Sequence, residues 1–155
     1  MKVIIVFGSF VGNTETVAGY VQRGLEQAGH EVTCKDAVYS DIEELEDYEL
    51  ILLGSPTYEP KMVQDDLLDF FEALADVDLS HKKAQAFGPG DTAWPDFCVA
   101  VDMLEERLRE CGAEMIGEKF TIDGVVEDFE QETINWAKTL TLDSKAPGLE
   151  EQTQQ

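Results

Sequence analysis

Val3-Ile4-Ile5-Val6-Phe7-Gly8-Ser9-Phe10-Val11-Gly12-Asn13-Thr14 holds the pieces of a β–turn–α unit in order. The unbroken apolar run from Val3 to Phe7 is that of a strand buried on both faces. A polar turn containing glycine follows it. Val17, Val21 and Leu25 then recur at spacing four, with Ala18 and Ala28 beside them, which predicts a helix. Gly29 stands where such a helix ends.

Working outward, the same alternation repeats. Glu31 to Lys35 reads as a strand around Val32 and Cys34, and the acidic stretch Asp41 to Tyr48 as a short helix. Leu50 to Leu53 is a second buried strand, ended by Gly54-Ser55-Pro56-Thr57. Val63 to Leu74 is an amphipathic helix with Leu67, Phe70, Phe71 and Leu74 inward. Lys83 to Phe87 is a strand closed by Gly88-Pro89-Gly90-Asp91. Phe97 to Cys111 is a helix stopped by Gly112, with Val101, Leu104 and Leu108 at helical spacing. Glu114 to Ile122 supplies the last strand, with Gly117 as its weak point, and Phe129 to Leu140 the last helix. Strands alternating with helices make right-handed βαβ crossovers, so the expected fold is α/β: a doubly wound, five-stranded parallel sheet with helices on both faces. Residues 1–140 make one domain. Residues 141–155 turn polar, with Pro147 and Gly148, and are expected to be a disordered tail.

The composition of the 155 residues, 43% hydrophobic and 28% charged, is that of a globular chain, but 11 Lys and Arg face 33 Asp and Glu, a net charge of −22. Such a surface repels nucleic acid and anionic lipid, and it steers basic partners inward. No apolar run reaches the length of a membrane span, and the run before Gly8 is too short for a signal peptide. Cys34, Cys98 and Cys111 are odd in number and widely spaced, which points to a reducing, cytoplasmic setting. Asp41, Glu43, Glu44, Glu46, Asp47, Asp65 and Asp66 fit no EF-hand spacing and read as solvated faces, so no metal is expected. His30 and His81 read as surface residues, and Cys34 and Cys111 as small core residues.

In an open parallel sheet, ligands bind outside the carboxyl ends of the strands. After the first strand, Ser9, Asn13 and Thr14 offer polar side chains, Gly12 allows close backbone approach, and a helix N-terminus points at the same spot. Two readings stand: an anion site suited to a phosphate, or an ordinary capped β–α turn. It is not a Walker loop, since the segment has no lysine. After the next strands, Tyr58 and Trp94 lie in two loops at the same sheet edge. Together they could clamp a planar ring, worth roughly 0.5–1.5 kcal/mol per ring pair beyond burial. With the turn, they argue for a phosphorylated planar cofactor.

The segments Gly8 to Thr16, Leu52 to Tyr58 and Phe87 to Asp91, joined by Phe97 to Asp102 and Gly112 to Glu114, resemble the flavodoxins, most closely the short-chain kind. The resemblance runs from Met1 to about Leu140. It implies the sheet order 2-1-3-4-5 with FMN at the switch point. It implies that Ser9, Phe10, Val11, Gly12, Asn13 and Thr14 hold the FMN phosphate. Ser55, Pro56, Thr57, Tyr58 and Glu59 would form one wall of the ring site, with Tyr58 against the isoalloxazine. Trp94 would stack on the other face, in a wall that also takes in Pro89, Gly90, Asp91, Asp96, Phe97 and Cys98. There the Gly90 and Asp91 backbone would meet the pyrimidine edge and Cys98 would border it. Three positions depart from the family pattern: Val11 in place of a hydroxyl residue, Glu59-Pro60 where Gly commonly follows the aromatic, and Pro89 at a variable position.

The resemblance implies a low-potential one-electron carrier, a cytoplasmic monomer docking on basic faces of redox proteins, with no nucleic acid or membrane partner and no enzymatic activity of its own. Asp65, Asp66 and Asp69 would ring the flavin edge. An FMN-dependent quinone reductase is the rival from another class, and the short 59–62 and 92–96 loops leave it little chain for a second substrate pocket. A receiver domain of the same topology is rejected, because its acidic positions are Gly8-Ser9 and Gly54-Ser55 here. A flavin-free structural descendant is the remaining alternative, raised by Val11.

Overall fold

Six parallel strands share one sheet: β1 (Lys2–Phe7), β2 (Glu31–Asp36), β3 (Leu50–Gly54), β4 (Lys83–Gly90), β5 (Glu114–Met115) and β6 (Phe120–Asp123). Their order is β2-β1-β3-β4-β5, with β6 also pairing β4. Four helices alternate with them: α1 (Asn13–Gln27), α2 (Asp65–Ala73), α3 (Val99–Glu110) and α4 (Glu130–Leu140). The computed structural model describes residues 1–9, 12–57, 63, 65–90 and 98–144. Among these, no helix is long and apolar enough to cross a membrane.

Successive β1 side chains point to opposite faces, and both faces are covered. Val3 and Ile5 join Val17, Val21, Leu25, Ala137 and Leu140 in the core beneath α1 and α4. Ile4 and Val6 join Leu67, Phe70, Leu104 and Leu108 beneath α2 and α3. The strands are apolar throughout because neither face meets water. Gly24 on α1 lets α4 approach closely: a methyl there would overlap the Ile134 carbonyl.

The expected fifth strand, Glu114 to Ile122, is two strands. Lys83 and Ala84 pair with Glu114 and Met115, and Phe87 pairs with Phe120, so two β4 residues (85–86) face four residues (116–119). The excess chain turns at Gly117, which stands at φ 59°. Buried Gln85 fills the gap, its Nε2 donating to the carbonyls of Ile116 (2.9 Å) and Gly117 (3.3 Å).

Strand β4 runs three residues past Phe87, where the sequence had it closing, and takes in Pro89, paired with Ile122. The Phe87 carbonyl points toward β3, so the missing N–H of Pro89 falls on the same side, where β3 has already ended. Gly90 faces the other way and accepts the Gly124 N–H at 2.9 Å.

The acidic stretch forms a 3-10 turn over Ile42–Asp47 rather than an α-helix. Ordered chain also passes the expected boundary at residue 140. Thr141–Ser144 form a further 3-10 turn, and Thr141 is buried with its hydroxyl 2.9 Å from His30 Nε2. His30 is therefore half-buried between Met1 and Thr141, not a plain surface residue. The expected disorder of residues 145–155 lies outside the described residues.

Candidate functional site

The carboxyl ends of β1, β3 and β4 are pinned in one row. The Gly8 N–H donates to the Gly54 carbonyl at 3.0 Å, and the Ser55 N–H to the Phe87 carbonyl at 3.2 Å. The N-termini of α1 and α3 open at the same sheet edge, which is where a doubly wound sheet takes its ligand.

The β1–α1 turn is built around Gly12, whose φ of 91° favours a residue without Cβ. Ser9 Oγ accepts the N–H of Gly12 at 3.0 Å and of Glu15 at 3.4 Å. The Thr16 N–H and hydroxyl both return to the Gly12 carbonyl, at 3.0 and 3.1 Å. Gly12, before α1, has no side chain to cap it; Ser9 Oγ takes the Glu15 N–H, and the N–H groups of Asn13 and Thr14 have no acceptor within the helix. Thr14 Oγ1 is buried and has no hydrogen-bond partner, alone in this among the described residues. A buried hydroxyl without a partner is unfavourable for folding by itself. A phosphate at this helix N-terminus would offer oxygens to such donors and gain from the helix dipole. The residues present fit an anion.

The loop after β3 is set from below. Ser55 is fully buried, its hydroxyl donating to the Pro56 carbonyl at 2.7 Å. Ser55 thus braces its own loop, and half-buried Pro56 and Thr57 lead outward from it. Thr57 Oγ1 accepts the Ala100 N–H at 2.9 Å, which ties this loop to the start of α3.

Pro89 is buried in β4, Gly90 is half-buried at its tip, and buried Cys98 precedes α3 at φ 52°. The Cys98 thiol lies 3.8 Å from the Gly88 carbonyl. Burial, helped by Asp102 and Asp123, pushes it up to about 12, so it is a neutral thiol at neutral pH. Among the described residues Cys98 alone, glycines aside, has positive φ. Phe10, Val11, Tyr58, Glu59, Asp91, Trp94, Asp96 and Phe97 lie outside the described residues. Those described, Ser9, Gly12, Asn13, Thr14, Ser55, Pro56, Thr57, Pro89, Gly90 and Cys98, come together at the ends of β1, β3 and β4.

Two supporting positions escaped sequence reasoning. A methyl on Gly88 would overlap the Ser55 carbonyl, and one on Gly54 would overlap the Phe87 ring. Glycine within a strand pattern is the signal that could have found them, since it marks close approach. Beside the site, Asp65, Asp66 and Asp69 on α2 face Asp41 and Glu43 across a cleft of about 510 Å³. Exposed Val38 lines it too.

The family model described as Flavodoxin matches residues 5–136. A flavodoxin from Maridesulfovibrio salexigens is 38% identical over 138 residues, 87% of this chain and 93% of the relative. One from Nitratidesulfovibrio vulgaris is 37% identical over 88% of this chain and 94% of its own. The oxidised Flavodoxin 2 crystal structure from Bacillus cereus superposes with a TM-score of 0.82 at 36% identity, covering 92% of this chain and 97% of that one. With this sheet order, the chain belongs to the flavodoxin family, electron-transfer proteins rather than enzymes, whose cofactor is FMN.

Proposed function

We propose that this chain is a cytoplasmic monomer that shuttles single electrons at low potential between redox proteins with basic docking faces. FMN, when bound, supplies the one-electron chemistry. The chain's own part is to hold it, limit water and steer partners. The orphaned Thr14 hydroxyl carries the reading, because a buried donor without an acceptor fits a bound anion better than a plain capped turn. On this reading Ser9, Gly12, Asn13 and Thr14 hold the phosphate, with Phe10 and Val11 completing the turn. Thr57 and Tyr58 line one ring face with Glu59 beyond them. Trp94 lines the other, and Gly90, Asp91 and Cys98 border the pyrimidine edge. Ser55, Pro56 and Pro89 fix the strand ends beneath, while Asp96 and Phe97 lead into α3.

The charge of −22 supports the partner and potential assignments. Adding an electron to a chain that already carries this net negative charge is disfavoured, which lowers the potential. At about 59 mV per tenfold for one electron, 2–3 kcal/mol of repulsion lowers it by roughly 90–130 mV.

The test is the purified protein's visible spectrum, followed by identification of the flavin released on denaturation. Release of FMN, with apo-protein binding FMN more tightly than riboflavin, is the expected result. Equal affinity for the two would overturn the phosphate assignment. NADH or NADPH alone should leave the protein oxidised; rapid reduction would make it a nicotinamide-dependent reductase instead.

A further inference from the structure

The two loops bearing Tyr58 and Trp94 meet at their roots through one hydrogen bond. Residues 58–62 follow directly on Thr57, and residues 91–97 end directly at Cys98. Between these roots the Ala100 N–H donates to Thr57 Oγ1 at 2.9 Å. The bond caps the first turn of α3 from another loop. Cys98, at the N-cap position, makes no side-chain cap bond and sits in left-handed geometry.

The same junction is tied to the sheet from both sides. Ser55 N–H donates to the Phe87 carbonyl, and the Cys98 thiol reaches the Gly88 carbonyl. Gly88 leaves room for nothing larger between Ser55 and Val101. The ends of β3 and β4 and the start of α3 thus form a closed circuit. In it, Thr57 is the side chain that joins the β3 loop directly to α3.

We propose that Thr57 is a positioning residue for the cofactor's ring: its hydroxyl holds the roots of the two aromatic loops at a set separation before the ring enters. This inference rests on the FMN reading above, and it adds a function to Thr57 other than contact. Preorganisation of this kind lowers the ordering cost of binding. Because the junction is separate from the β1–α1 turn, losing it weakens ring binding and leaves phosphate binding as it was.

The experiment compares apo-protein carrying Thr57→Val, which keeps the shape and removes the acceptor, with Thr57→Ser, which keeps the acceptor. Thr57→Val should weaken FMN and riboflavin by the same factor, roughly three- to tenfold, the range one hydrogen bond supplies. Thr57→Ser should stay within about twofold of wild type. Hydrogen exchange at the Ala100 amide, measured before any flavin is added, should be slow in wild type and Thr57→Ser and fast in Thr57→Val. Thr57→Ala removes the same acceptor without a branched side chain and should repeat the pattern should Thr57→Val not fold. Unchanged affinity for both flavins, or a loss confined to FMN, would overturn the proposal. Failure of wild type to bind FMN would instead overturn the reading on which it rests.

Discussion

Ser9 Oγ receives the Gly12 N–H at 3.0 Å, and that bond closes the β1–α1 turn before any ligand arrives. As an acceptor in this bond, the Ser9 hydroxyl still has its own hydrogen to donate. Gly12 holds φ 91° beside it, and nothing lies within 4 Å of where a Cβ would stand. Glycine is therefore favoured at this position by its backbone conformation and not by crowding. Thr14 completes the turn with the buried hydroxyl that has no partner.

Removing that hydroxyl should have opposite effects on the empty and loaded protein. Thr14→Val deletes an unsatisfied buried group at nearly constant volume, so apo-protein should be as stable as wild type or more so, by about 0–1 kcal/mol. FMN affinity should fall by about 1–3 kcal/mol, the range for hydrogen bonds to a charged group, while riboflavin affinity is unchanged. Chemical denaturation of apo-protein and flavin titration read the two effects separately. A large loss of apo-stability would show that the hydroxyl serves the fold.

Gly12→Ala should destabilise the apo-protein by about 1–2 kcal/mol, all of it conformational, because the space is open. The measurement is the midpoint shift in urea at constant slope.

Gly88→Ala tests the opposite regime. The new methyl would overlap the Ser55 carbonyl and press on Val101 Cγ2 at 2.7 Å. Backbone cannot yield there without moving β3 from β4, so the expected loss is about 1–3 kcal/mol or more. A denaturation midpoint within error of wild type would show that the strand ends can part.

Alkaline pH should destabilise the chain through its buried thiols. Burial raises Cys34 to about 11, and Cys98 to about 12. Both values lie above the ordinary thiol value the unfolded chain returns to, so in that window the folded state holds more protons and stability falls as pH rises. The stabilisation is complete below the ordinary thiol value and is lost as pH climbs through about 12. Cys34→Ala should flatten the alkaline limb of a stability–pH curve and leave the neutral region's slope unchanged. An unchanged alkaline limb would show that the thiol ionises alike in both states.

Electron transfer to a basic partner should slow as salt is added, since screening shortens to about 10 Å at 0.1 M. Charge reversal at exposed Asp65 and Asp69 should slow the reaction severalfold at low salt and leave FMN affinity nearly unchanged. Stopped-flow rates against ionic strength provide the check. A rate indifferent to salt would remove these carboxylates from docking.

The sequence by itself determined the layers. Continuous apolar strands such as Val3 to Phe7 can be buried only between two sets of helices, and Val17, Val21 and Leu25 show which helical face goes in. It also determined which residues gather at one edge of the sheet, because the residues after a parallel strand emerge there. Periodicity carries that information locally, one element at a time. Only the tertiary structure decided where elements meet. The break at residues 116–119 depends on β4 register and on Gln85, thirty-one residues away from Ile116 in sequence. The extension of β4 through Pro89 depends on β3 having stopped. Thr141 meets His30 across the fold, and Thr57 is a cap because Ala100 stands beside it. Ser55, expected in a ligand wall, is buried with its hydroxyl on the Pro56 carbonyl, a partner no local pattern shows. A hydroxyl's role is set by the donor or acceptor that folding brings within about 3 Å, and no local pattern encodes that neighbour.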